Sequence, residues 1–427
     1  MPQTAQTLNT QVFCRSLDWA MLRHLIEHDP SLQGLAEHIS QTRGTLFAHT
    51  FVFVASAVQQ QILETVAAVE RVAKLPGYQD QALARASALA LRDWGPLGAC
   101  MGYDFHLDGD QVKLIEINTN AGGLLLNAAL TQAQQDCANA PATVTPPSEH
   151  DVRAQVWAMF AREWALQRGN APWQRVLIVD DAPTTQYLAP EFALYKQLFA
   201  QHALDAQIAD PAELSWRDGS LWHQGQPVQM VYNRLTDFDL SAPEHAALRC
   251  AYEAGAVVLT PHPRAHALMA DKRNLVALSQ PELLRAWGAQ ESDIQVLERH
   301  IPTTRMVEPA HADALWAQRR QLFFKPVAGY GGKAAYRGDK LTQRVWREIL
   351  QQDYVAQALV PPAVRTVDIQ GVATPLKFDL RAFTYDGQVQ LLAARLYSGQ
   401  TTNFRTEGGG FAPVRVLLNP TQDAGAD

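Results

Sequence analysis

The chain has 427 residues, of which 47% are apolar and 19% charged, and its formal net charge is −7. This length predicts two or three domains with large cores, and the acidic balance argues against a nucleic-acid-binding protein, which would carry a basic surface. The four cysteines show no Cys-x-x-Cys spacing. They therefore predict neither a zinc site nor a disulfide framework, and they favour a reducing, cytoplasmic compartment. We expect no signal peptide, and the longest apolar stretch, residues 46–57, is too short to cross a membrane.

The first hundred residues show helical periodicity. Apolar side chains recur at three- and four-residue spacing in residues 16–42 and again in residues 56–72, and Pro76 is expected to end the second helix. A third helix is predicted at residues 80–94, which are rich in alanine and leucine. These helices precede the stretch with the most distinctive polar residues.

Two strands joined by a turn are predicted at residues 102–123, because an Asp-Gly pair there is a strong turn signal between alternating runs. If the turn centres near Asp110, Asp104 would lie opposite Glu116, and Asn118 would share the same strand face. Crowded carboxylates repel each other unless a cation lies between them, and carboxylate and amide oxygens suit Mg²⁺. The alternative is a solvent-facing polar strand face, but the apolar run at residues 122–130 favours burial. The sequence therefore predicts a magnesium site on this hairpin.

The middle of the chain changes its pattern. A proline-containing segment at residues 138–148 predicts a linker, and a helix is predicted at residues 151–168. Strand and helix patterns then alternate from residue 175 to 260, which predicts a parallel α/β sheet in a domain of its own. The connection after it carries His262 and His266. As a metal pair they are disfavoured, because prolines around them disrupt the helix that such a pair needs, and their role stays open.

The second half of the chain contains a candidate nucleotide pocket. A helix begins near Lys272, and a predicted buried strand at residues 321–326 contains Lys325; both lysines would supply positive charge to phosphates. A glycine loop follows, whose backbone N–H groups could approach a phosphate closely, although a mobile surface turn explains such a loop equally well. Backbone groups around Gln357 and Leu359, on the next strand, would hydrogen-bond an adenine edge. The loop residues predicted to bind the nucleotide are Gly329, Gly331, Gly332 and Lys333.

A polar strand face is predicted near the end of the chain. Asp379 and Arg381 share one face of a strand, and the simplest alternative is a single exposed ion pair, worth about 0–1 kcal/mol. Arg395 and Arg405 extend this face, and guanidinium groups suit bidentate binding of carboxylate and phosphate. The run Gly408–Gly410 is costly in entropy unless the backbone must approach a ligand. The role of Asp379 stays open.

In their order along the chain, these motifs resemble the ATP-grasp ligases, and most of all the eukaryotic-type glutathione synthetases and the glutathionylspermidine synthetases. In that group the Glu-x-Asn metal motif comes early in the chain, and here Glu116-Ile-Asn118 precedes Lys325 by about two hundred residues. Further pieces match in the same order: Thr45-Leu-Phe47, Val231-Tyr-Asn-Arg234, Ala270-Asp-Lys272 and Arg405-Thr406. The resemblance spans nearly the whole chain.

The resemblance implies an α/β (α+β) fold, with an ATP-grasp catalytic core of permuted motif order and an inserted parallel α/β substrate domain. Residues 1–148 would form the N-terminal helical region and the metal-binding hairpin, as part of the core. Residues 149–266 would form the substrate domain, residues 267–418 the nucleotide-binding region, and residues 419–427 a tail.

The resemblance also implies roles for individual residues. The ligands of Mg²⁺ on ATP would be Asp104, Glu116 and Asn118. The nucleotide would be bound by Lys272, Lys325, the glycine loop, Gln357 and Leu359. Substrates would be contacted by Arg234, Arg395, Asn403, Gly409 and Gly410. Catalysis would involve Arg381, Arg405 and Lys325.

The implied reaction is ATP-dependent ligation of a small-molecule carboxylic acid to an amine through an acyl phosphate, with ADP and phosphate as products. Three positions depart from the synthetases: Gly102 replaces an arginine, Ala328-Gly329 replaces Arg-Glu, and the residues after Asn120 replace serines. These departures predict that the ATP chemistry is kept and argue against glutathione as the product. The alternatives are a small-molecule kinase and a non-catalytic nucleotide-binding scaffold. No nucleic-acid or membrane partner is expected, and the relatives suggest a homodimer.

Overall fold

The computed structural model describes residues 4–135, 141–329 and 334–418. Helices and three strands make up its first part. In chain order these elements are α1 (Ala5–Gln11), α2 (Trp19–Ile26), α3 (Leu35–Thr42), β1 (Val52–Ala55), α4 (Ser56–Ala73), α5 (Pro76–Leu83), β2 (Met101–Asp108), β3 (Gln111–Asn118) and α6 (Leu124–Gln132).

Local sequence explains most of this first part. The apolar stripe of α4 is buried, as its helical spacing predicts. The periodicity at residues 16–42 is divided between α2 and α3, because Pro30 begins a short 3-10 turn between them. The helix predicted at residues 80–94 is wrong. The preceding helix, α4, ends at Ala73, before Pro76, as predicted. Pro76 then begins α5, since proline is favoured in the first turn of a helix, and α5 stops at Leu83.

The middle part alternates helices and strands. Its elements are α7 (Glu149–Arg168), β4 (Arg175–Val179), α8 (Ala189–Gln201), β5 (Asp205–Ala209), β6 (Leu214–Arg217), β7 (Ser220–His223), β8 (Gln226–Val228), β9 (Met230–Asn233), α9 (Ala246–Glu253) and β10 (Val258–Thr260). Strands β10, β9, β4 and β5 form a parallel sheet in that order, as predicted, and β6, β7 and β8 form a small antiparallel sheet.

The strand order of the parallel sheet creates a crevice. From β4 the chain passes to β5 on one side of the sheet, and it later returns to β9 on the other side. The loops that follow β4 and β9 therefore diverge at the carboxyl edge of the sheet, which is where ligands bind in open α/β sheets. This crevice is the switch-point crevice below.

The last part supplies two more sheets. Its elements are α10 (Pro263–Ala265), a π-helical turn (His266–Ala270), α11 (Arg273–Leu278), α12 (Pro281–Ala286), α13 (Glu291–His300), β11 (Thr304–Met306), α14 (Ala312–Gln318), β12 (Leu322–Pro326), β13 (Tyr336–Arg337), α15 (Gln343–Ile349), β14 (Tyr354–Ala358), β15 (Ala363–Ile369), β16 (Val372–Tyr385), β17 (Gln388–Tyr397) and β18 (Gly410–Leu417). Strands β11, β14, β12 and β13 form an antiparallel sheet in that order.

A seven-stranded sheet joins the two ends of the chain. Its order is β1, β18, β17, β16, β2, β3, and β15 pairs with β16 outside this path. The pairing of β1 with β18 is parallel, and the other pairs are antiparallel. The predicted hairpin is therefore the β2–β3 pair, and β16 lies beside it on the inner side. On one face of this sheet, apolar side chains pack on α4. The other face carries a polar row and, beside it, Phe383 and Ala393, which belong to the core formed with α2, α3 and α6.

The structure bears on two predictions, one about the cysteines and one about membrane spans. Cys14 is disulfide-bonded, whereas Cys100 and Cys250 are free. The prediction that the chain has no disulfide is therefore wrong, and cysteine spacing gives no argument for a reducing compartment. Within the described ranges, no helix is both long and apolar enough to cross a membrane.

Candidate active site

Five charged side chains form a polar row on the seven-stranded sheet: Glu116, Asp104, Arg381, Arg395 and Asp379. Asp104 pairs with Glu116 on β3, as predicted, and with Arg381 on β16. Asp379, two residues before Arg381, pairs with Arg395 on β17. Paired residues and residues two apart along a strand share a face. Strand register therefore gathers residues that lie far apart in the sequence.

Asp104 is enclosed by hydrogen-bond donors. Its Oδ1 accepts a bond from Arg381 Nε at 2.7 Å, and its Oδ2 accepts bonds from Arg381 Nη2 at 2.7 Å and Asn118 Nδ2 at 3.0 Å. Arg395 Nη2 lies 2.9 Å from the same Oδ2. Burial opposes the charged form, but the two guanidinium groups prevail and hold the pKa of Asp104 below its usual value.

Asp379 orients Arg395. Arg395 Nε donates to Asp379 Oδ1 at 2.7 Å, and the hydroxyl of Thr402 donates to Asp379 Oδ2. Asp379 is buried, so the alternative of an exposed ion pair with Arg381 is wrong. Burial alone would lower the pKa of Arg395, but the charges of Asp104 and Asp379 raise it above its ordinary value. Three ion pairs thus connect four buried members of the row in the order Arg381, Asp104, Arg395 and Asp379.

Glu116 differs from the other carboxylates of the row. It is half-buried, and among the described residues its side chain accepts only the weak bond from Asn118 Nδ2, at 3.4 Å. A free carboxylate beside a side-chain amide offers hard oxygen ligands, which fit Mg²⁺ that keeps waters and phosphates in its shell. The described ranges contain no cluster of three His, Cys, Asp or Glu side chains suited to a metal, so a cage made only of protein ligands is not present there.

Two lysines face the row from the nucleotide region. Lys325, on β12, donates to the carbonyl of Ile115 at 2.7 Å and to Gln357 Oε1 at 3.0 Å. Burial lowers the pKa of Lys325 to about 8, against the attraction of Glu116 and with a further lowering from Lys272. Lys272 itself donates to the carbonyl of Gly329 at 2.8 Å. The ammonium of Lys325 therefore lies against β3, beside the predicted metal site.

The residues predicted to hold the adenine and the phosphates differ in their surroundings. The side chain of Gln357 is buried and holds Lys325, and its backbone lies in a strand paired on both sides. The N–H of Leu359 donates to Gln321 O at 2.8 Å, which leaves its carbonyl for a ligand. Gly329 ends the described part of this loop. The predictions for Gly331, Gly332 and Lys333 lie outside the described residues.

Arg234 lies at the switch-point crevice, at the end of β9. It is buried, and its Nη1 donates to the hydroxyl of Tyr232 at 3.1 Å and to Ala121 O at 3.4 Å, while its enclosed Nε has no partner among the described residues. Burial opposes its charge, but Tyr232 and Glu191 nearby raise the pKa of Arg234. The predicted acid-binding residue therefore meets the segment that follows the hairpin.

Asp180 was not identified from the sequence. It follows β4, directly across the switch-point crevice, and burial raises its pKa to about 7 although the charge of Arg234 opposes this. Its position immediately after a buried parallel strand is the signal that could have found it, because the carboxyl ends of such strands form ligand sites.

The predicted acceptor side is a loop at residues 398–409. Asn403 shapes this loop: its Nδ2 donates to Ser398 O at 2.8 Å, and its Oδ1 accepts from the N–H of Arg405 at 3.0 Å. The side chain of Arg405 is exposed. Phe404 between them stacks on Tyr187, with ring centroids 5.3 Å apart, so the loop is attached to the chain that follows β4.

Gly409 and Gly410 are required by packing. A Cβ on Gly409 would lie 2.5 Å from Leu396 O, and one on Gly410, where φ is +109°, would lie 2.4 Å from Thr45 O. The protein's own backbone explains this close approach, so the glycine run does not by itself indicate a ligand. Both residues stay substrate-contact predictions by resemblance.

The chain can now be compared with known proteins. No protein-family model matches the chain, and no curated protein matches it. A solved glutathione synthetase-like effector from Globodera pallida, in its apo form, superposes with a TM-score of 0.55 and 14% identity, over 92% of this chain and 98% of that one. A protein from Methylobacillus flagellatus KT assigned as a gamma-glutamylcysteine synthetase superposes with a TM-score of 0.46 and 10% identity, over 81% of this chain and 84% of that one. D-alanyl-alanine synthetase A from Vibrio cholerae O1 biovar eltor matches with a TM-score of 0.30 and 11% identity, over 50% of this chain and 69% of that one.

The first of these likenesses shows the fold. The chain has the α/β fold of a glutathione synthetase-like protein, as its motif order predicts.

Proposed function

We propose that the protein is an ATP-dependent carboxylate–amine ligase that works through an acyl phosphate. The observation that carries the proposal is the position of Lys325, whose ammonium binds the carbonyl of Ile115 beside Glu116. A cation for phosphate and a free carboxylate for metal thus lie together, on two different sheets, with Lys272 nearby. The division into residues 1–148, 149–266 and 267–418 is part of this proposal.

The nucleotide would lie between the small antiparallel sheet and the polar row. Lys325 and Lys272 would neutralise phosphate oxygens as point charges, and binding would replace the protein carbonyls that they now contact. The carbonyl of Leu359 would accept a bond from the adenine amino group. Glu116 and Asn118 would hold Mg²⁺, which would supply further charge neutralisation to the phosphates.

The acid substrate would enter through the switch-point crevice and the amine from the loop at residues 398–409. Arg234 carries an unpartnered, enclosed Nε and suits a carboxylate. Arg405 is exposed on the acceptor loop and would cover the amine. Both substrates would then converge on the polar row from the middle sheet and from the end of the chain.

Ligation would occur in two displacements. An oxygen of the acid forms a bond to the γ-phosphorus of ATP while the bond to the bridging oxygen breaks, and ADP leaves. The amine nitrogen then bonds to the acyl carbon, inorganic phosphate leaves with the electron pair, and the nitrogen loses a proton. Arg381 would stabilise the negative charge that develops in both steps, because a fixed donor needs no reorganisation during the reaction.

The test is ADP formation by the purified protein with panels of acids and amines, followed by mass spectrometry of the product. We expect ADP and phosphate only when both substrates are present, and Glu116→Gln should lower kcat by about 100-fold or more while the fold persists. Asp386→Asn, on the surface turn between β16 and β17, is the matched control and should keep full activity. Repeated turnover that releases a stable phosphorylated acid without amine would indicate a kinase, and AMP with pyrophosphate would exclude the acyl-phosphate mechanism.

A further inference from the structure

The oxygens of Asp104 are already saturated by protein donors. Oδ2 accepts from Arg381 Nη2 and Asn118 Nδ2 and lies 2.9 Å from Arg395 Nη2, and Oδ1 accepts from Arg381 Nε. The side chain is 4% exposed. A cation that bound Asp104 would have to approach through two guanidinium groups, which repel it, whereas Glu116 next to it is half-buried and nearly free. The two carboxylates therefore have different chemistry.

Arg381 and Arg395 each have one guanidinium nitrogen, Nη1, that donates to none of the described residues. In each guanidinium, Nε and Nη2 bind the carboxylates of the row. No described residue accepts a bond from Nη1 of Arg381 or Nη1 of Arg395, and neither atom is among the enclosed polar atoms that lack a partner. Within the described residues, each Nη1 is therefore left without a protein acceptor. Two such donors, fixed by a shared carboxylate, form a ready site for a tetrahedral anion.

Gly102 makes room for this arrangement. It lies on β2, two residues before Asp104, and a Cβ there would lie 2.6 Å from Ala121 Cβ and 3.2 Å from Arg381 Nε. A side chain at this position would clash with Ala121 and would also crowd the guanidinium of Arg381. The glycine is therefore linked to the position of the guanidinium that comes from the neighbouring strand β16.

We propose that Asp104 is a positioning residue that holds Arg381 and Arg395 as a paired clamp for the transferred phosphoryl group, and that it is not a ligand of the metal. The metal ligands are then Glu116 and Asn118. This inference rests on the proposed function, and it changes the role of Asp104, which the family resemblance implies is a metal ligand. Asp379 has the same positioning role for Arg395 from the other side.

The test separates metal binding from turnover. Binding of Mn²⁺ with ADP is measured by electron paramagnetic resonance, which needs no catalysis, for the wild type, Asp104→Asn, Glu116→Gln and the surface control Asp386→Asn. We expect Asp104→Asn to bind Mn²⁺ within about twofold of the wild type, whereas Glu116→Gln weakens it by about tenfold or more. In turnover, Asp104→Asn should lower kcat by about 100-fold, with the KM for ATP unchanged.

Two results would overturn the inference: loss of Mn²⁺ affinity in Asp104→Asn as large as in Glu116→Gln, or full kcat in Asp104→Asn. If Asp104→Asn does not fold, Arg381→Lys answers the same question, because it keeps the charge and loses the two-pronged geometry. It should lower kcat while Mn²⁺ binding persists, and full kcat would again refute the clamp. A wild type that binds Mn²⁺ and ADP but never forms ADP from ATP would instead refute the ligase, while the binding comparison still decides the metal ligands.

Discussion

The buried ammonium of Lys325 should lower the stability of the ligand-free protein. Its pKa falls from 10.5 to about 8, chiefly because burial penalises the charged form. One pKa unit corresponds to about 1.4 kcal/mol, so at pH 7 the charge lowers the free energy of unfolding by about 3 kcal/mol. We consider the variant Lys325→Met, which keeps the length of the side chain and removes the charge.

The sign of the pH dependence follows from proton binding. Below pH 8 the lysine is protonated in both the folded and the unfolded chain, so the destabilisation is complete. Between pH 8 and pH 10.5 the unfolded chain binds more protons than the folded one, and the stability of the wild type rises by about 1.4 kcal/mol per pH unit. Between pH 7.5 and pH 9.5 we therefore expect a gain of about 2 kcal/mol for the wild type relative to Lys325→Met.

Urea unfolding of both proteins at the two pH values measures this difference. The absolute stability of the variant at pH 7.5 also includes the loss of donors to Ile115 O and Gln357 Oε1, about 1–3 kcal/mol, so the change with pH is the diagnostic quantity. Lys74→Met, an exposed lysine paired with Asp386, is the control and should show the same difference from the wild type at both pH values. An equally constant difference for Lys325→Met would refute the claim that Lys325 is strained by burial.

Two further substitutions test the packing around the substrate side. Gly410→Ala should lower the free energy of unfolding by more than about 2 kcal/mol, because a positive φ and a clash with Thr45 O combine there, whereas Gly288→Ala, at φ +85° in open space, should cost about 1 kcal/mol; urea unfolding compares them, and equal losses would contradict the clash. Phe404→Ala removes the stack on Tyr187 and should raise the KM for the amine by about 2- to 10-fold with little change in the KM for ATP, as the 0.5–1.5 kcal/mol of an aromatic pair allows. An unchanged KM for the amine in steady-state kinetics would show that the loop does not meet this substrate.

The hairpin of β2 and β3 could be predicted because its determinants are local. An Asp-Gly pair marks the turn, and Asp104 lies opposite Glu116 as predicted. The regular repeat from the turn would have paired Asp104 with Ile115, and a register shift between Asp104 and Phe105 brings Glu116 into that place. Local signals also predict the parallel strands, which are short apolar runs between turn signals. The prediction of a helix at residues 80–94 failed because Pro76 supports the first turn of a helix, so that the helix begins there and stops at Leu83.

The partners of Asp104 could not be predicted, because they depend on register between distant strands. Arg381 lies 277 residues from Asp104 in the chain, and only the pairing of β16 with β2 brings them together. The sequence pattern placed Asp379 and Arg381 on one face but gave no partner for either. The glycine run was ambiguous for a related reason: its close neighbour is the backbone of Thr45, which no periodicity in the sequence reveals.

The distribution of charge explains how one sheet face could both hold buried ion pairs and bind a nucleotide with its metal. Asp104 and Asp379 balance Arg381 and Arg395, so these four of the five residues in the polar row are neutral together before any ligand binds and need no counter-ion. The uncompensated charges at its edge are those of Glu116 and the facing lysines, and the low pKa of Lys325 shows that the fold does not neutralise them fully. A nucleotide that binds together with a divalent cation would supply negative charge to the lysines and positive charge to Glu116. Binding of the nucleotide should therefore raise the pKa of Lys325, and ADP should remove the pH dependence that distinguishes the wild type from Lys325→Met. Persistence of that dependence at saturating ADP and Mg²⁺ would place the nucleotide elsewhere.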